Sequence, residues 1–162
     1  MILVLDASAL ITLARIGRLN LLRDLAENIY IPEAVYDEVV RSGRGRAGSS
    51  EVAHAQWISY HQVRDRDAVA GLRAQVGQGE AEAIVLAREL RADAVVLDDA
   101  TARQLAETAG QKVLGLLGLL LNAKERGVVA SLKPIVDDMV AAGFFIDEAL
   151  YRSILRQAGE QP

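Results

Sequence analysis

The sequence predicts an α/β fold, with a short, mostly parallel sheet between helical layers in a three-layer α/β/α arrangement. Three observations carry this reading. Apolar runs at Ile2–Leu5, Ile29–Ile31 and Ala94–Leu97 have the length and composition of strands buried on both faces. Helical patterns separate these runs along the first three quarters of the chain, as βαβ units require. Right-handed crossovers then put helices on both faces of the sheet. The 162 residues are 51% hydrophobic, enough for one domain with a substantial core. We read residues 1–162 as that single domain, with 131–162 as a helical C-terminal extension and no internal repeat.

The elements follow in order. After the strand 2–5, Ser8 is placed to cap a helix running to Ile16, and Gly17 stops it. A short helix fits 19–26. Pro32 suits the first turn of a helix through Arg41. Residues 41–50, RSGRGRAGSS, are the one flexible, low-complexity stretch, and Ser49 or Ser50 can cap the helix that follows. A strand at 58–63 and a helix at 65–76 come next. Gly77-Gln78-Gly79 punctuates, then a helix spans 80–91 and a strand 94–97. A helix at 100–109, a short strand at 112–114 and a helix at 116–126 complete the alternation. Two helices, one opened by Ser131 and Pro134 and one capped by Asp147, end the chain.

Composition excludes several functions. There is no cysteine, so disulfides, thiolate nucleophiles and thiolate-bound zinc are out. The net charge of -4 argues against a bulk electrostatic grip on nucleic acid, though not against a local basic patch. Aromatics are 4%, a poor supply for a base-stacking platform. The N-terminus lacks a basic flank and is interrupted by Asp6, unlike a secretory signal. The leucine-rich 114–121 stretch is too short to span a bilayer. A cytoplasmic protein without membrane association is expected.

Two of the apolar runs end in aspartate: Ile2–Leu5 at Asp6, and Ala94–Leu97 at Asp98-Asp99. In open α/β sheets the ligand crevice lies at the carboxyl ends of the strands, so these acids share a rim. Side chains alternate along a strand, so one of Asp98 and Asp99 points into the cluster, and Asp98 is preferred. Helical phase adds two glutamates. Glu80 shares a stripe with Ala83, Ile84, Ala87 and Leu90, whereas Glu82 lies on a more mixed face and is the less favoured acid. Glu38 stacks beside Ala34 and Val35, whereas Asp37 neighbours Glu33 and Arg41. Each acid alone reads equally as a cap or surface residue. Together they repel unless a proton or cation intervenes. Their hard oxygens suit Mg²⁺ or Mn²⁺ rather than zinc, and such ions activate water and stabilise a phosphodiester's developing charge. Paired acids also serve glycoside hydrolysis, but that site wants aromatic platforms.

Arg41, Arg44 and Arg46, on the glycine-rich loop after the Glu38 helix, are candidate RNA phosphate contacts. The competing reading is a solvated, mobile loop. Gly77-x-Gly79 lacks the lysine and preceding strand of a P-loop. Leu114–Leu121 reads as core, and the late helix with Ile154 and Leu155 as a surface for a partner.

The combination resembles PIN domains. Val4-Leu5-Asp6-Ala7-Ser8-Ala9-Leu10-Ile11 is similar to their opening motif, and PEAVYDEVV at 32–40 resembles the second acidic motif, with Glu38 at the acidic position. Gly79-Glu80-Ala81-Glu82-Ala83-Ile84 resembles the third, and Val95–Asp99 the strand that ends in the fourth. The last third of the chain is similar to an uncharacterised PIN-like subgroup. The resemblance implies a divalent-metal-dependent ribonuclease. It further implies the toxin component of a toxin–antitoxin pair, with a small antitoxin as partner; the apolar late helix leads us to expect a homodimer or higher oligomer. Asp6, Glu38, Glu80 and Asp98 or Asp99 carry over as catalytic carboxylates, with Asp6, Glu80 and Asp98 on the metal. Ser8 carries over as the hydroxyl that orients them, and Thr101 as similar support. Two departures stand out. The third acidic position is commonly aspartate and is Glu80 here, and Leu97 stands where a threonine commonly precedes the fourth acidic pair. The rival expectations are a non-catalytic PIN-like module binding RNA or protein, and a metal-dependent phosphatase.

Overall fold

The computed structural model describes residues 1–162. Five strands form one all-parallel sheet in the order β3-β2-β1-β4-β5. They are β1 (Ile2–Leu5), β2 (Asn28–Pro32), β3 (Ile58–His61), β4 (Ala94–Val96) and β5 (Val113–Leu114). Leu3, Leu5, Ile29, Ile31, Ala94 and Val96 point into the larger of two apolar clusters, and Val4, Val95 and Leu97 into the smaller. This is the two-residue strand period with both faces buried, and it explains why these segments read as unbroken apolar runs.

Helices cover both faces. The larger cluster is closed by α1 (Ala7–Arg15), α2 (Leu21–Leu25), α3 (Glu33–Tyr36), α4 (Ser49–His54) and a C-terminal set. α5 (Arg66–Leu72), α6 (Gln78–Glu89) and α7 (Ala100–Thr108) close the smaller. The C-terminal set is α8 (Leu116–Glu125), α9 (Lys133–Ala141) and α10 (Glu148–Gln157). It shares the core of the preceding helices, with Leu116, Leu119, Ile135, Val136, Ile154 and Leu155 buried together. Ile154 and Leu155 are therefore core residues rather than a partner-facing pair, because the amphipathic α10 turns that stripe inward. No helix is long and apolar enough to cross a membrane.

Three local expectations are corrected. The helix after Pro32 does not stay α-helical to Arg41. It passes into a π-helical turn at Asp37–Arg41, which re-aims Glu38 relative to a regular helix. The cap of α1 is Asp6, whose Oδ1 accepts from Ala9 N at 3.3 Å, and Ser8 sits inside the first turn. At α4 neither serine caps. Gly48, with φ +93°, begins the helix while Glu51 reaches back to its N–H, and the buried Ser49 hydroxyl donates to the Val40 carbonyl.

The strand order positions the site. The chain moves outward from β1 through β2 to β3, then returns to the other side of β1 for β4 and β5. The direction of winding reverses between β1 and β4, and a crevice opens there at the carboxyl ends of those strands. Asp6 and Asp98 are the residues that leave the sheet at that point.

Candidate active site

Two aspartates are locked together at the switch point. The backbone N–H of Asp98 donates to Asp6 Oδ2 at 3.3 Å, and the backbone N–H of Asp6 donates to the Val96 carbonyl at 3.2 Å. Asp98 is held from two sides, by the Ser8 hydroxyl at 2.8 Å on Oδ2 and by the backbone N–H of Leu116 at 3.2 Å on Oδ1. Both carboxylates keep unused lone pairs after these bonds. Asp99 does something different. It caps α7, accepting from Ala102 N at 2.8 Å, and is exposed. Beyond the end of β4, Asp98 thus faces Asp6 and Asp99 serves as a helix cap.

A cleft of about 380 Å³ opens in front of Asp6, lined also by Ser8, Thr12, Arg15, Glu38, Gly79 and Glu80. Glu80 comes from the first turn of α6 and Glu38 from the π turn. Glycines let them approach. A Cβ at Gly77 would fall 2.6 Å from Glu80 Oε2, and one at Gly79 would meet Val35 at 3.4 Å and Glu38 Oε2 at 3.6 Å. The Gly77-x-Gly79 pair therefore makes room for two glutamates.

The electrostatics couple all four acids. Burial pushes the Asp6 carboxyl up to about 7. The N–H groups of Ala9 and Asp98 pull it down, and the charges of Asp98 and Glu80 push it up again. Glu38 is also raised, first by burial and then by the charge of Glu80. Such a site holds a proton or welcomes a cation.

No three of the chain's acids and histidines stand close enough together to form a metal-holding group as they are placed. The donor chemistry nonetheless fits a hard divalent ion. All four acids offer oxygen, and the buried Asp6 lacks a cationic partner.

Glu82 corrects the helical-phase expectation that put it on a mixed face. It is 4% exposed and accepts from the backbone N–H of Ala34 at 3.1 Å, from Arg66 Nη2 at 3.3 Å and from the Gln78 amide. Residues 81–87 of α6 are all buried, because α6 is wedged between the sheet and three helices. Both sides of that helix face protein, so phase alone could not separate the two glutamates.

The loop arginines lie elsewhere. Arg41 pairs with Asp37 and Glu33 and sits 5.2 Å from the centroid of the Tyr36 ring. Arg44 and Arg46 line a separate cavity of about 530 Å³ with Ser49, Ser50 and Glu51. Thr101 is exposed in the first turn of α7 and does not line the acid cleft. The guanidinium that does line it is Arg15, which sequence reasoning missed. The signal was present: Ser8, Thr12 and Arg15 recur at helical spacing along one stripe of α1.

Fold and site together define an α/β protein with a carboxylate-lined cleft at the sheet's switch point. The model of the PIN-domain family matches residues 2–160, nearly the whole chain, and the protein belongs to that family. PIN domains are nuclease-type folds that generally depend on divalent metal and act on RNA. No curated protein matches the chain.

Proposed function

We propose that the chain is a Mg²⁺- or Mn²⁺-dependent endoribonuclease and the toxin component of a toxin–antitoxin pair. The supporting observation is the cleft that Asp6, Glu38 and Glu80 all line, with Asp98 bonded behind it and Asp6 raised by burial and by its acidic neighbours. Asp6, Glu80 and Asp98 would hold the metal. When bound, the ion would activate water and neutralise charge developing on the phosphodiester. The two aspartates are fixed by backbone N–H groups and by Ser8, and Glu38 and Glu80, without such bonds, would be free to approach a bound cation. Arg15, on the wall of the cleft, would meet a neighbouring phosphate of the same strand. Hydrolysis at the P–O3′ bond leaves 5′-phosphate and 3′-hydroxyl ends. The toxin role rests on family resemblance and brings with it a small antitoxin partner and a cytoplasmic setting.

Asp6→Asn is expected to abolish metal-dependent RNA cleavage while the circular dichroism spectrum stays native. Unchanged cleavage refutes the assignment. One observation favours a second reading, a non-catalytic binding module: the acids are not preassembled around a cation position. Mn²⁺ titration with thermal melting separates the two. At a hundredfold excess over Kd an ion stabilises by about 2.7 kcal/mol, or about 5–11 °C for a chain of this size. No shift at millimolar Mn²⁺ supports the binding module.

A further inference from the structure

The aromatic side chain most exposed to solvent is next door to the acid cleft. Phe145 is 86% exposed in the loop joining α9 to α10, just beyond Gly143, whose φ of +99° turns the chain. Hydrophobic burial gives no reason for a phenylalanine there. With Phe144, Met139 and Ala142, Phe145 lines a hollow of about 200 Å³. That is smaller than the roughly 300–1,000 Å³ of sites for drug-sized ligands, and it suits one ring system rather than a folded element. Thr12 and Arg15 line this hollow and also line the acid cleft, so the two adjoin at these side chains. Arg15 forms no ion pair or side-chain hydrogen bond, although it stands on the wall of a cleft rich in carboxylates. Along one line the surface therefore offers carboxylates, an unpaired guanidinium and an exposed aromatic face.

We infer that Arg15 and Phe145 form a nucleotide subsite beside the scissile position, which takes an unstacked base of single-stranded RNA. Arg15 contacts the phosphate adjoining the one cleaved. Phe145 stacks on the attached base, and Gly143 turns the chain that presents it. The inference rests on the nuclease reading for the word scissile, but the binding it describes needs no metal. A duplex keeps its bases stacked in the helix and cannot use the aromatic face. A protein segment is the competing occupant. The free cation and the route into the acid cleft favour a polyanion.

The test measures RNA binding and RNA cleavage separately. Fluorescence anisotropy with a short labelled oligouridylate in EDTA reports binding by the full chain. Phe145→Ala is expected to weaken binding about 5- to 160-fold, the range for loss of one base–aromatic stack. Phe145→Trp should restore it, and a duplex of equal length should not respond to either change. An oligonucleotide with an abasic position in the subsite should lose the difference between wild type and Phe145→Ala. Arg15→Ala should flatten the salt dependence of single-strand affinity by about 0.7 in log–log slope, the loss of one phosphate contact. Phe145 is solvent-exposed, so its variants keep the fold. Equal affinity of Phe145→Ala and wild type overturns the inference, as does an equal loss on duplex RNA. Absence of cleavage by wild type in Mn²⁺, with the Phe145 effect on binding intact, overturns the nuclease reading and leaves the subsite standing.

Discussion

Glu80 and Glu82 are two residues apart and invite opposite outcomes when removed. Glu82 is almost fully enclosed and accepts from Ala34 N–H, from the Gln78 amide and from Arg66. Glu82→Ala leaves the Ala34 N–H unpaired in the first turn of α3 and strands the Gln78 amide. Bonds to a charged acceptor contribute about 1.5–3 kcal/mol each. Arg66 is more than half exposed, so its pairing adds little. Removing a charge from a buried position recovers part of its desolvation cost. A net loss of about 3 kcal/mol results, which lowers Tm by about 6–12 °C. Glu82→Gln keeps the acceptor for Ala34 and should cost about 1 kcal/mol. Glu80→Ala does the reverse. It removes a charge that opposes ionisation of Asp6 and Glu38, so stability is unchanged or slightly higher, while metal-dependent cleavage is lost. The assays are thermal melting in EDTA and RNA cleavage in Mn²⁺. A Glu82→Ala protein that melts like wild type but does not cleave would make Glu82 the chemical acid and sink the assignment of Glu80.

The remaining predictions concern the fourth motif and pH. Asp99→Ala should cost about 1 kcal/mol through the lost α7 cap and leave cleavage intact; Asp98→Ala should abolish cleavage, and retained cleavage would transfer the role to Asp99. The native state holds the Asp6 proton more tightly than the unfolded chain, because its carboxyl rises from 3.8 to about 7. That contribution is complete below about pH 4 and is lost as pH rises through 7, about 4 kcal/mol in all. Glu160 runs the other way. Burial raises it, but the N–H groups of Leu132 and Lys133, the Lys124 ammonium and the Ser131 hydroxyl bring it down to about 2, so its contribution is lost as pH falls from 4.5. Urea unfolding in EDTA should therefore show greatest stability at about pH 4 and a decline from there to about pH 7, and Asp6→Asn should flatten that decline; a wild-type profile that does not fall over that range refutes the role of Asp6.

The sheet was legible because parallel strands are buried on both faces and so appear as apolar runs bounded by helices. Leu3 and Val4 face different clusters, yet both must be apolar. The strand-end aspartates were legible for the same reason, since a carboxylate that ends such a run leaves the sheet at its rim. The helix-borne acids were not as legible. Periodicity assumes one buried face, and α6 has protein on more than one side, so Glu82 is hidden where an amphipathic helix would expose it. The π turn after Tyr36 has no local signal in DEVVR, because an extra residue in the turn is selected by packing rather than propensity. Arg15 escaped notice because a single basic residue near a helix C-terminus has an ordinary explanation in the helix dipole. Only the fold shows that its stripe also carries Ser8 and Thr12 into the cleft.

The site is built from groups that the fold also uses, and this constrains what each can do. Asp6 spends one oxygen on capping α1 and the other on the Asp98 N–H. Asp98 ties β4 to α1 through Ser8 and to α8 through Leu116. These bonds hold two carboxylates close together against their mutual repulsion, which free side chains would relieve by rotating. The placement of these two aspartates is thereby set by the fold, whereas that of the glutamates is not. The cost falls on the metal-free protein, which above neutral pH must hold a buried, ionised Asp6 beside other acids. Glu38 and Glu80 carry no such backbone tether, and their carboxylates lie over glycines that leave them room. Fixed aspartates and yielding glutamates together explain how one cleft can be strongly coupled electrostatically and still lack a preassembled metal group.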